Sequence, residues 1–335
     1  MFLKLYIYRY IQKLSTIKSN CKYLSQMRGK MYKISIIIPI YNAIEDLKIL
    51  LNSLNKNLDF NICEIFLIND CSDAETTEFL KQFTKEYKQY TYIQNEKNLG
   101  FVQTCNKGMQ LAKGDIVILL NTDTEIPKDF CKKIIDCFKT DEKIGIASPV
   151  GASMPIPDGL NTEKMNTLLN RVHKTEYPLL SFAMGYCFCI RKEVIEQQGY
   201  LDTVWNKGYC EEIDYSFRAI TNNWKNVLID NLFVYHKREA SFGKETRLKY
   251  IKQNKPKFER RWKNFQKKYE KEHKIKNSLE IIEMEMFPNG NPARPIYPKF
   301  KRKAIEYIFS LKNTPNKSHK VMTLLGIQLK FRRKN

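Results

Sequence analysis

Two polar side chains suited to binding a metal ion or a phosphate, Asn121 and Asp123, follow the apolar run Ile116–Leu120. A continuous run of this kind is typical of a parallel strand that is covered on both faces. Ligands of open α/β sheets gather at the carboxyl ends of such strands, and hard divalent cations prefer carboxylate oxygens and substrate phosphates. The pattern therefore favours a ligand site at Asp123. The alternative is that this stretch only caps a helix beginning near Pro127.

Two earlier predicted strands also end in residues suited to a ligand. The first runs into Pro39 and Tyr41, and the chain must leave the sheet there because proline gives up a ladder hydrogen bond. The second ends just before Asp70, whose carboxylate can accept the N–H of a nucleobase. The alternative for Asp70 is that it caps the following helix together with Ser72 and Asp73.

A tight connection, Asn98–Phe101, leads from the third predicted strand into a helix. The N-terminus of that helix faces the same sheet edge, where free backbone N–H groups favour anions. Asn98 and Gly100 are therefore candidate ligand-binding residues. Asn106 and Gly108 lie on the helix itself, and Gly108 suits close packing.

The segment Trp205–Arg218 contains three acidic residues close together. On a helix, Glu211 and Asp214 share a face with Arg218, whereas Glu212 points about a hundred degrees away. The two neighbouring glutamates can thus play separate roles, and a carboxylate in a partly dry pocket has the basicity needed to deprotonate a hydroxyl. The alternative is a solvated acidic helix start, which the helix dipole favours.

A single histidine, His236, ends the apolar strand predicted over Leu228–His236. A lone histidine is more often a satisfied structural residue than a ligand. This one follows an aspartate metal candidate and an acidic helix, in the chain order that a split metal site requires.

Strands and helices alternate along the chain from Ser35 to Pro149. Helices of about 10–15 residues between short apolar strands are typical of βαβ units and of a mostly parallel, Rossmann-like sheet, so the fold class is α/β. A loop rich in Gly, Pro, Ser and Asn follows over Gly151–Lys164. The later predicted elements are a strand at Ser181–Arg191, a helix at Cys210–Thr221, the strand ending at His236, and a charged helix from residue 244 to about 276.

The charge is divided unevenly along the chain, which has a net charge of +21. Residues 1–33 hold 8 Lys and Arg and no acid, and residues 244–335 hold 26 against 8 Glu, which leaves the core at −5. These shifts predict a basic amphipathic N-terminal segment (1–33), a folded domain (34–243) and a basic, largely helical C-terminal extension (244–335). Basic ends suit an anionic membrane surface, which attracts each Lys or Arg by about 1 kcal/mol. The acidic core argues against a nucleic-acid partner, and the alternative for the ends is a lysine-rich solvated surface.

The nine cysteines are scattered and form no C-x-x-C pair, which argues against a disulfide framework or a zinc module. They favour a reducing compartment. No apolar run reaches the roughly 20 residues of a spanning helix, and residues 1–30 lack the apolar region of a signal peptide. The protein is therefore expected in the cytoplasm, peripherally at the inner face of the membrane.

Together these motifs resemble those of the family 2 glycosyltransferases of the GT-A (nucleotide-diphospho-sugar transferase) fold, over about Ser35–Gly243. Each motif alone is weak, but their collinear order is hard to reach by chance. The matching motifs are Pro39-Ile-Tyr-Asn42, Asp70-x-Ser72, Asn98-x-Gly100, Asn106-x-Gly108, Gly114-Asp115, Asn121-x-Asp123-Thr124, Gly185, Arg191, Gly199-Tyr-Leu-Asp202, Glu211-Glu-x-Asp214, Arg218, and His236 followed by Ser241-Phe242.

The resemblance implies a donor half of the site. Asp123 matches the last Asp of the family's D-x-D motif, which binds Mg²⁺ or Mn²⁺ at the sugar-nucleotide diphosphate, and His236 matches a further metal ligand of some relatives. Asn121 departs from the first Asp of that motif, as in the rhamnosyltransferase-like branch. The implied donor-binding residues are Pro39, Tyr41, Asp70, Asn98, Gly100, Asn106 and Asn121, with Asp70 at the nucleobase.

The resemblance also implies an acceptor half and a reaction. Glu212 falls on the catalytic base, which is commonly Asp, and Glu211, Asp214 and Trp205 fall on the acceptor side. The implied activity is an inverting hexosyl or deoxyhexosyl transfer from a nucleotide-diphosphate sugar to a glycan or lipid-linked acceptor, in cell-surface polysaccharide or glycoconjugate synthesis. The alternative is a catalytically silent nucleotide-sugar or carbohydrate-binding module. A nucleotidyltransferase would carry a Gly-rich phosphate loop after the first strand, and Pro39–Ala43 offers none.

Overall fold

The computed structural model describes residues 31–152, 154–237, 244–294, 309–313, 319–324 and 327–332. Most of the predicted N-terminal segment, residues 1–30, lies outside these ranges. The strands are β1 (Ile34–Ile40), β2 (Cys63–Asn69), β3 (Tyr90–Gln94), β4 (Ile116–Leu120), β5 (Thr124–Glu125), β6 (Ile144–Val150), β7 (Leu179–Leu180), β8 (Cys187–Arg191), β9 (Lys225–Phe233), β10 (Tyr235–His236), β11 (Phe309–Asn313), β12 (His319–Leu324) and β13 (Ile327–Arg332). The helices are α1 (Ile44–Asn57), α2 (Ala74–Glu86), α3 (Phe101–Leu111), α4 (Phe130–Thr140), α5 (Thr162–Val172), α6 (Lys192–Gln198), α7 (Glu211–Thr221), α8 (Lys244–Trp262), α9 (Phe265–Glu272) and α10 (Ser278–Met286).

Eight of the described strands form one sheet in the order β3-β2-β1-β4-β8-β6-β9-β7. Strands β1 to β4 pair in parallel, and so do β6 and β9. Strand β8 runs antiparallel to both β4 and β6, and β7 runs antiparallel to β9. The predicted mixed α/β architecture with a mostly parallel sheet is confirmed, and β8 joins its two parallel parts.

Both faces of the sheet are buried, because alternate side chains of each central strand enter different cores. On one face Ile36 of β1 belongs to the same buried cluster as Leu50 of α1. On the other face Ile37 belongs to a cluster with Met109 of α3. All five residues of β4, Ile116–Leu120, are buried, as expected for a strand covered on both sides.

Gly108 on α3 is where helix and sheet approach most closely. A Cβ atom at this position would lie 2.4 Å from Cγ2 of Ile37, which is fully buried. Because real side-chain contacts are not this short, Gly108 serves the close packing that the sequence suggested.

The structure differs from the sequence expectation after β6, where a helix, α5, begins before the predicted loop has ended. Asn161 caps it, since its side chain accepts a hydrogen bond from the Lys164 backbone N–H at 2.9 Å. Met165 and Leu169 of α5 belong to a third buried cluster together with Ile282 of α10. The polar cap residue is part of what made this stretch resemble an irregular loop.

The chain divides into two compact units, residues 1–291 and 292–335, and not at residue 244. Helices α8 to α10 therefore belong to the same unit as the sheet, because aromatic side chains of α8 and α9 pack against Phe217 of α7. The described part of the second unit is an antiparallel sheet in the order β11-β12-β13, where a largely helical extension was expected. Within the described ranges, no helix is both long and apolar enough to cross a bilayer.

Candidate active site

A cavity of about 300 Å³ opens where β1, β2 and β4 end, beside the start of α7. This is the carboxyl edge of the parallel strands, where the sequence predicted a ligand site. Ten of the predicted residues line it: Pro39, Tyr41, Asp70, Asn98, Gly100, Asn121, Asp123, Glu211, Glu212 and His236.

Asp70 holds the loop that leads into α3. Its carboxylate accepts hydrogen bonds from the backbone N–H groups of Leu99 and Gly100, both at 2.8 Å, and from Nδ2 of Asn95 at 2.9 Å. A carboxylate has about four acceptor positions, so these three bonds leave one acceptor position of Asp70 unfilled, and the residue lines the cavity. The helix-capping alternative belongs instead to Asp73, whose side chain accepts the Thr76 N–H at the start of α2.

Asp123 and His236 meet although 113 positions separate them in the sequence. The short strands β5 and β10 pair antiparallel with His236 opposite Thr124, and Lys237 N–H donates to the carbonyl of Asp123 at 3.0 Å. As a result, Nε2 of His236 lies 3.3 Å from Oδ1 of Asp123. The imidazole also stacks on Tyr186, with ring centroids 4.9 Å apart.

The spacing of this pair suits two ligand atoms of a divalent cation. Neighbouring ligand atoms of an octahedral ion lie about 3 Å apart, which suits the spacing of Asp123 Oδ1 and His236 Nε2. Nδ1 of His236 is buried and has no hydrogen-bond partner among the described residues. Within those ranges, no group of three or more His, Cys, Asp or Glu is arranged for a metal ion.

The two glutamates that begin α7 form a buried carboxyl pair. Oε2 of Glu211 and Oε2 of Glu212 are each buried, and neither has a hydrogen-bond partner in the described part of the chain. Burial raises the pKa of Glu211 well above its ordinary value, and the neighbouring charge of Glu212 raises it further. Burial also raises the pKa of Glu212, while its hydrogen bond with Glu211 opposes that shift. The two carboxyl groups of this pair therefore hold their protons more tightly than exposed glutamates do.

Gly185 lies beside the Glu212 side chain, where a Cβ atom would make ordinary van der Waals contact. A Cβ atom at residue 185 would lie 3.4 Å from Cγ and 3.6 Å from the carboxyl carbon of Glu212. Tyr186 continues the wall of the cavity, and its backbone carbonyl accepts the N–H of Asn121 at 2.9 Å. The strand β8 that follows is thus tied directly to the end of β4.

A loop at residues 206–210 forms the rim between α3 and α7. Asn206, Tyr209 and Cys210 have positive φ values of 52°, 70° and 82°. Residues other than glycine rarely adopt positive φ values, and backbone strain of this kind is concentrated at functional sites. Three residues of this loop, Lys207, Gly208 and Tyr209, line the cavity.

Three predicted site residues lie outside the cavity lining. Asn106 is used internally, because its amide pairs with both backbone groups of Leu201 at 2.8 and 2.9 Å. Trp205 is fully buried against Phe258 of α8. Asp214 is fully buried too, and its carboxylate accepts from Arg218, Arg261 and Trp262. These three side chains make their contacts within the protein, beside the cavity. The structure therefore gives no support to the ligand contacts predicted for them.

The sequence analysis missed several cavity residues, namely Thr104, Met184, Tyr186, Lys207 and Tyr209. Tyr186 follows the motif glycine Gly185 directly, so adjacency was a usable signal. Lys207 had no such signal, since its place in the cavity depends on contacts with a distant helix.

The architecture is that of a GT-A enzyme, as predicted. The solved structure of GalNAc-T7 with UDP, GalNAc and Mn²⁺ matches it with a TM-score of 0.52 at 20% identity, over 62% of this chain and 43% of that one. Residues 35–199 match the model of glycosyl transferase family 2.

Two relatives show how far the likeness extends. An uncharacterized glycosyltransferase of Haemophilus influenzae is 24% identical over 303 residues, which is 87% of this chain and 94% of the relative. The poly-beta-1,6-N-acetyl-D-glucosamine synthase of Staphylococcus epidermidis is 24% identical over 210 residues, 61% of this chain and 48% of the synthase. The chain thus spans about half the length of that synthase.

The raised pKa of Glu211 makes stability depend on pH. A carboxyl whose pKa is raised on folding binds its proton more tightly in the folded state, so stability falls as pH rises above the unfolded pKa, near 4.5. We expect Glu211→Gln, which removes the titratable group and its unfavourable burial above pH 4.5, to raise the free energy of unfolding at pH 8 by about 1 kcal/mol or more. The gain should shrink at pH 5.

Urea denaturation at the two pH values measures this effect. Glu142→Gln, at an exposed turn position, is the matched control and should change stability equally little at both. A Glu211→Gln protein less stable than the natural one at pH 8 would contradict the assignment.

Proposed function

We propose that this chain transfers a sugar from a nucleoside-diphosphate sugar to a hydroxyl of an acceptor, with inversion at the anomeric carbon. The observation that carries the proposal is the convergence in one cavity of three groups with complementary chemistry. They are the Asp123–His236 pair, the buried pair Glu211 and Glu212, and Asp70 with its remaining acceptor position.

In the donor half, Asp123 and His236 would hold Mg²⁺ or Mn²⁺. When bound there, the ion supplies positive charge against the leaving diphosphate. Asn121 lines the cavity beside them and brings no charge, so the site holds one carboxylate where a D-x-D motif would bring two. Asp70 would accept an N–H of the nucleobase, and Asn98 and Gly100 would complete that end of the donor site.

In the acceptor half, Glu212 would take the proton of the attacking hydroxyl. Its raised pKa makes it a stronger base than an exposed glutamate, and its partly dry position preserves that basicity. Because one carboxylate acts on the nucleophile while the diphosphate departs on the other side, the displacement is a single step and inverts the configuration. Glu211 would bind the acceptor as a neutral carboxyl group that can donate a hydrogen bond.

The proposed acceptor is a glycan or lipid-linked glycan of cell-surface polysaccharide synthesis. The likeness to a polysaccharide synthase supports this class. A lipid-linked acceptor also suits the basic character of residues 244–335, which include the lysine- and arginine-rich helices α8 and α9. The protein would then work as a peripheral protein at an anionic membrane surface.

We expect Glu212→Gln to lower turnover at least a hundredfold, since a general base contributes about 10²–10⁴ to a rate. Binding of the donor should change little, because the base acts on the acceptor. Transfer from the accepted donor, followed by product chromatography, measures turnover, and calorimetry measures donor binding. Glu142→Gln serves again as the surface control. Near-normal transfer by Glu212→Gln would show that another group is the base.

We expect Asp123→Ala to abolish the Mn²⁺-dependent part of donor binding. Thermal shift with a panel of UDP-, GDP- and dTDP-sugars, with Mn²⁺ or with EDTA, first identifies the donor and then gives the metal-dependent increment. Asp136→Ala, which removes an exposed carboxylate of α4, is the control and should keep that increment. A natural protein that responds to no donor would favour a silent carbohydrate-binding module.

We expect the protein to sediment with vesicles that contain anionic lipid and to remain in solution with neutral vesicles. Raising the salt concentration should release it, because surface charge attraction is screened within about 10 Å at 0.1 M. Equal partitioning on the two kinds of vesicle would contradict the membrane proposal and leave the transferase proposal standing.

A further inference from the structure

The cavity lining carries more negative than positive charge, and this charge would repel the diphosphate of the proposed ligand. Its described lining includes four carboxyl groups, those of Asp70, Asp123, Glu211 and Glu212, and a single lysine or arginine, Lys207. A nucleoside diphosphate adds further negative charge. Even with a metal ion at Asp123, the far side of the diphosphate would face carboxylates unless another cation lies there.

Lys207 occupies the place from which such a cation could act. Its backbone lies against the N-terminus of α3, where a Cβ atom on Gly100 would be 2.9 Å from Cα of Lys207. Gly100 also has a φ of +82°, so glycine is required at residue 100 for two reasons. The N-terminus of α3 and the lysine therefore present positive charge to the same end of the cavity.

The ammonium group of Lys207 is uncommitted. No described residue forms a hydrogen bond or ion pair with it, and its side chain is exposed at the rim. Neighbouring lysines are used differently: Lys257 donates to the carbonyl of Val204 at 3.0 Å, and Lys107 donates to Asn95 at 2.8 Å. A free lysine over a carboxylate-lined cavity is available to a ligand.

The backbone around Lys207 is held in place from outside the cavity. The amide of Asn254 on α8, which is 2% exposed, donates to the carbonyls of Trp205, Gly208 and Tyr209 at 3.2, 2.9 and 3.0 Å. These carbonyls lie on both sides of Lys207. The two N–H groups of this buried amide thus share three carbonyl acceptors and fix the strained loop, so the lysine is presented from a rigid backbone.

We infer that Lys207 is a second cation of the donor site, which binds the diphosphate of the nucleotide and meets the charge that grows on it. In the proposed transfer, the bond from the anomeric carbon to the diphosphate oxygen breaks and its electron pair stays on the diphosphate. The acceptor oxygen bonds to that carbon, and its proton goes to Glu212. Lys207 keeps its proton and acts through charge, while Asn254 is a positioning residue. This inference rests on the proposed function.

The test is metal-free binding to the intact protein, measured by calorimetry in EDTA with UDP, GDP and the nucleosides uridine and guanosine. Lys207→Gln should weaken binding of the accepted diphosphate about tenfold, the usual effect of one hydrogen bond to a charged group at a partly exposed site. Binding of the matching nucleoside should stay the same. Lys207→Arg should restore most of the loss, and Lys252→Gln, an exposed lysine of α8, should have no effect.

Asn254→Ala tests the positioning role through coupling. Lys207→Gln should cost clearly less in the Asn254→Ala protein than in the natural one, because a lysine that is not held contributes less. Full additivity would reduce Asn254 to a structural residue. If the natural protein binds no UDP-, GDP- or dTDP-sugar with Mn²⁺, the proposed function fails. If it binds one only with Mn²⁺, or if Lys207→Gln changes metal-free binding less than twofold, only the inference about Lys207 fails.

Discussion

The site depends on how the strained 206–210 loop is fixed between Gly100 and Asn254. On one side, the loop backbone approaches Gly100 so closely that a Cβ atom would not fit, and Asp70 in turn holds the N–H of Gly100. On the other side, the buried amide of Asn254 binds three carbonyls of and beside the loop. These contacts thus connect the end of β2, the start of α3 and helix α8. The 206–210 loop that they fix leads directly into α7.

The second constraint is electrostatic. Glu211 and Glu212 are buried side by side, and the energetic cost appears as raised pKa values and as buried oxygens without partners. A core chosen only for stability would not contain them. Asp214, one turn further along α7, shows the contrast, because its buried carboxylate is satisfied by Arg218, Arg261 and Trp262. The same helix therefore has one carboxylate, Asp214, whose hydrogen bonds fix its position. It also has two carboxyl groups, Glu211 and Glu212, whose unpaired oxygens are suited to binding a ligand.

Much of the fold was predictable because local pattern and burial agree. The strands β1 to β4 and the helices between them follow from apolar runs and helical periodicity, and the ends of those strands brought Asp70 and Asp123 to one edge. The antiparallel β8 was not predictable, since an apolar strand between two others has the same pattern in either direction. Helix α5 and the strands after residue 292 were missed because polar and proline-rich composition outweighed weaker periodic signals.

By itself, the sequence determined which residue types stand at the strand ends, the alternation that defines an α/β sheet, and the order of the motifs that resemble family 2 glycosyltransferases. Those are local properties, and a chain expresses them through propensity and burial within about ten residues. Only the tertiary structure decided which of these residues share a cavity. The β5–β10 pairing brings His236 to Asp123, the packing of α8 makes Trp205 and Asp214 internal, and Asn254 places Lys207 at the rim. Such contacts join positions far apart in the chain, and their geometry depends on shape and on hydrogen bonds that no local pattern encodes.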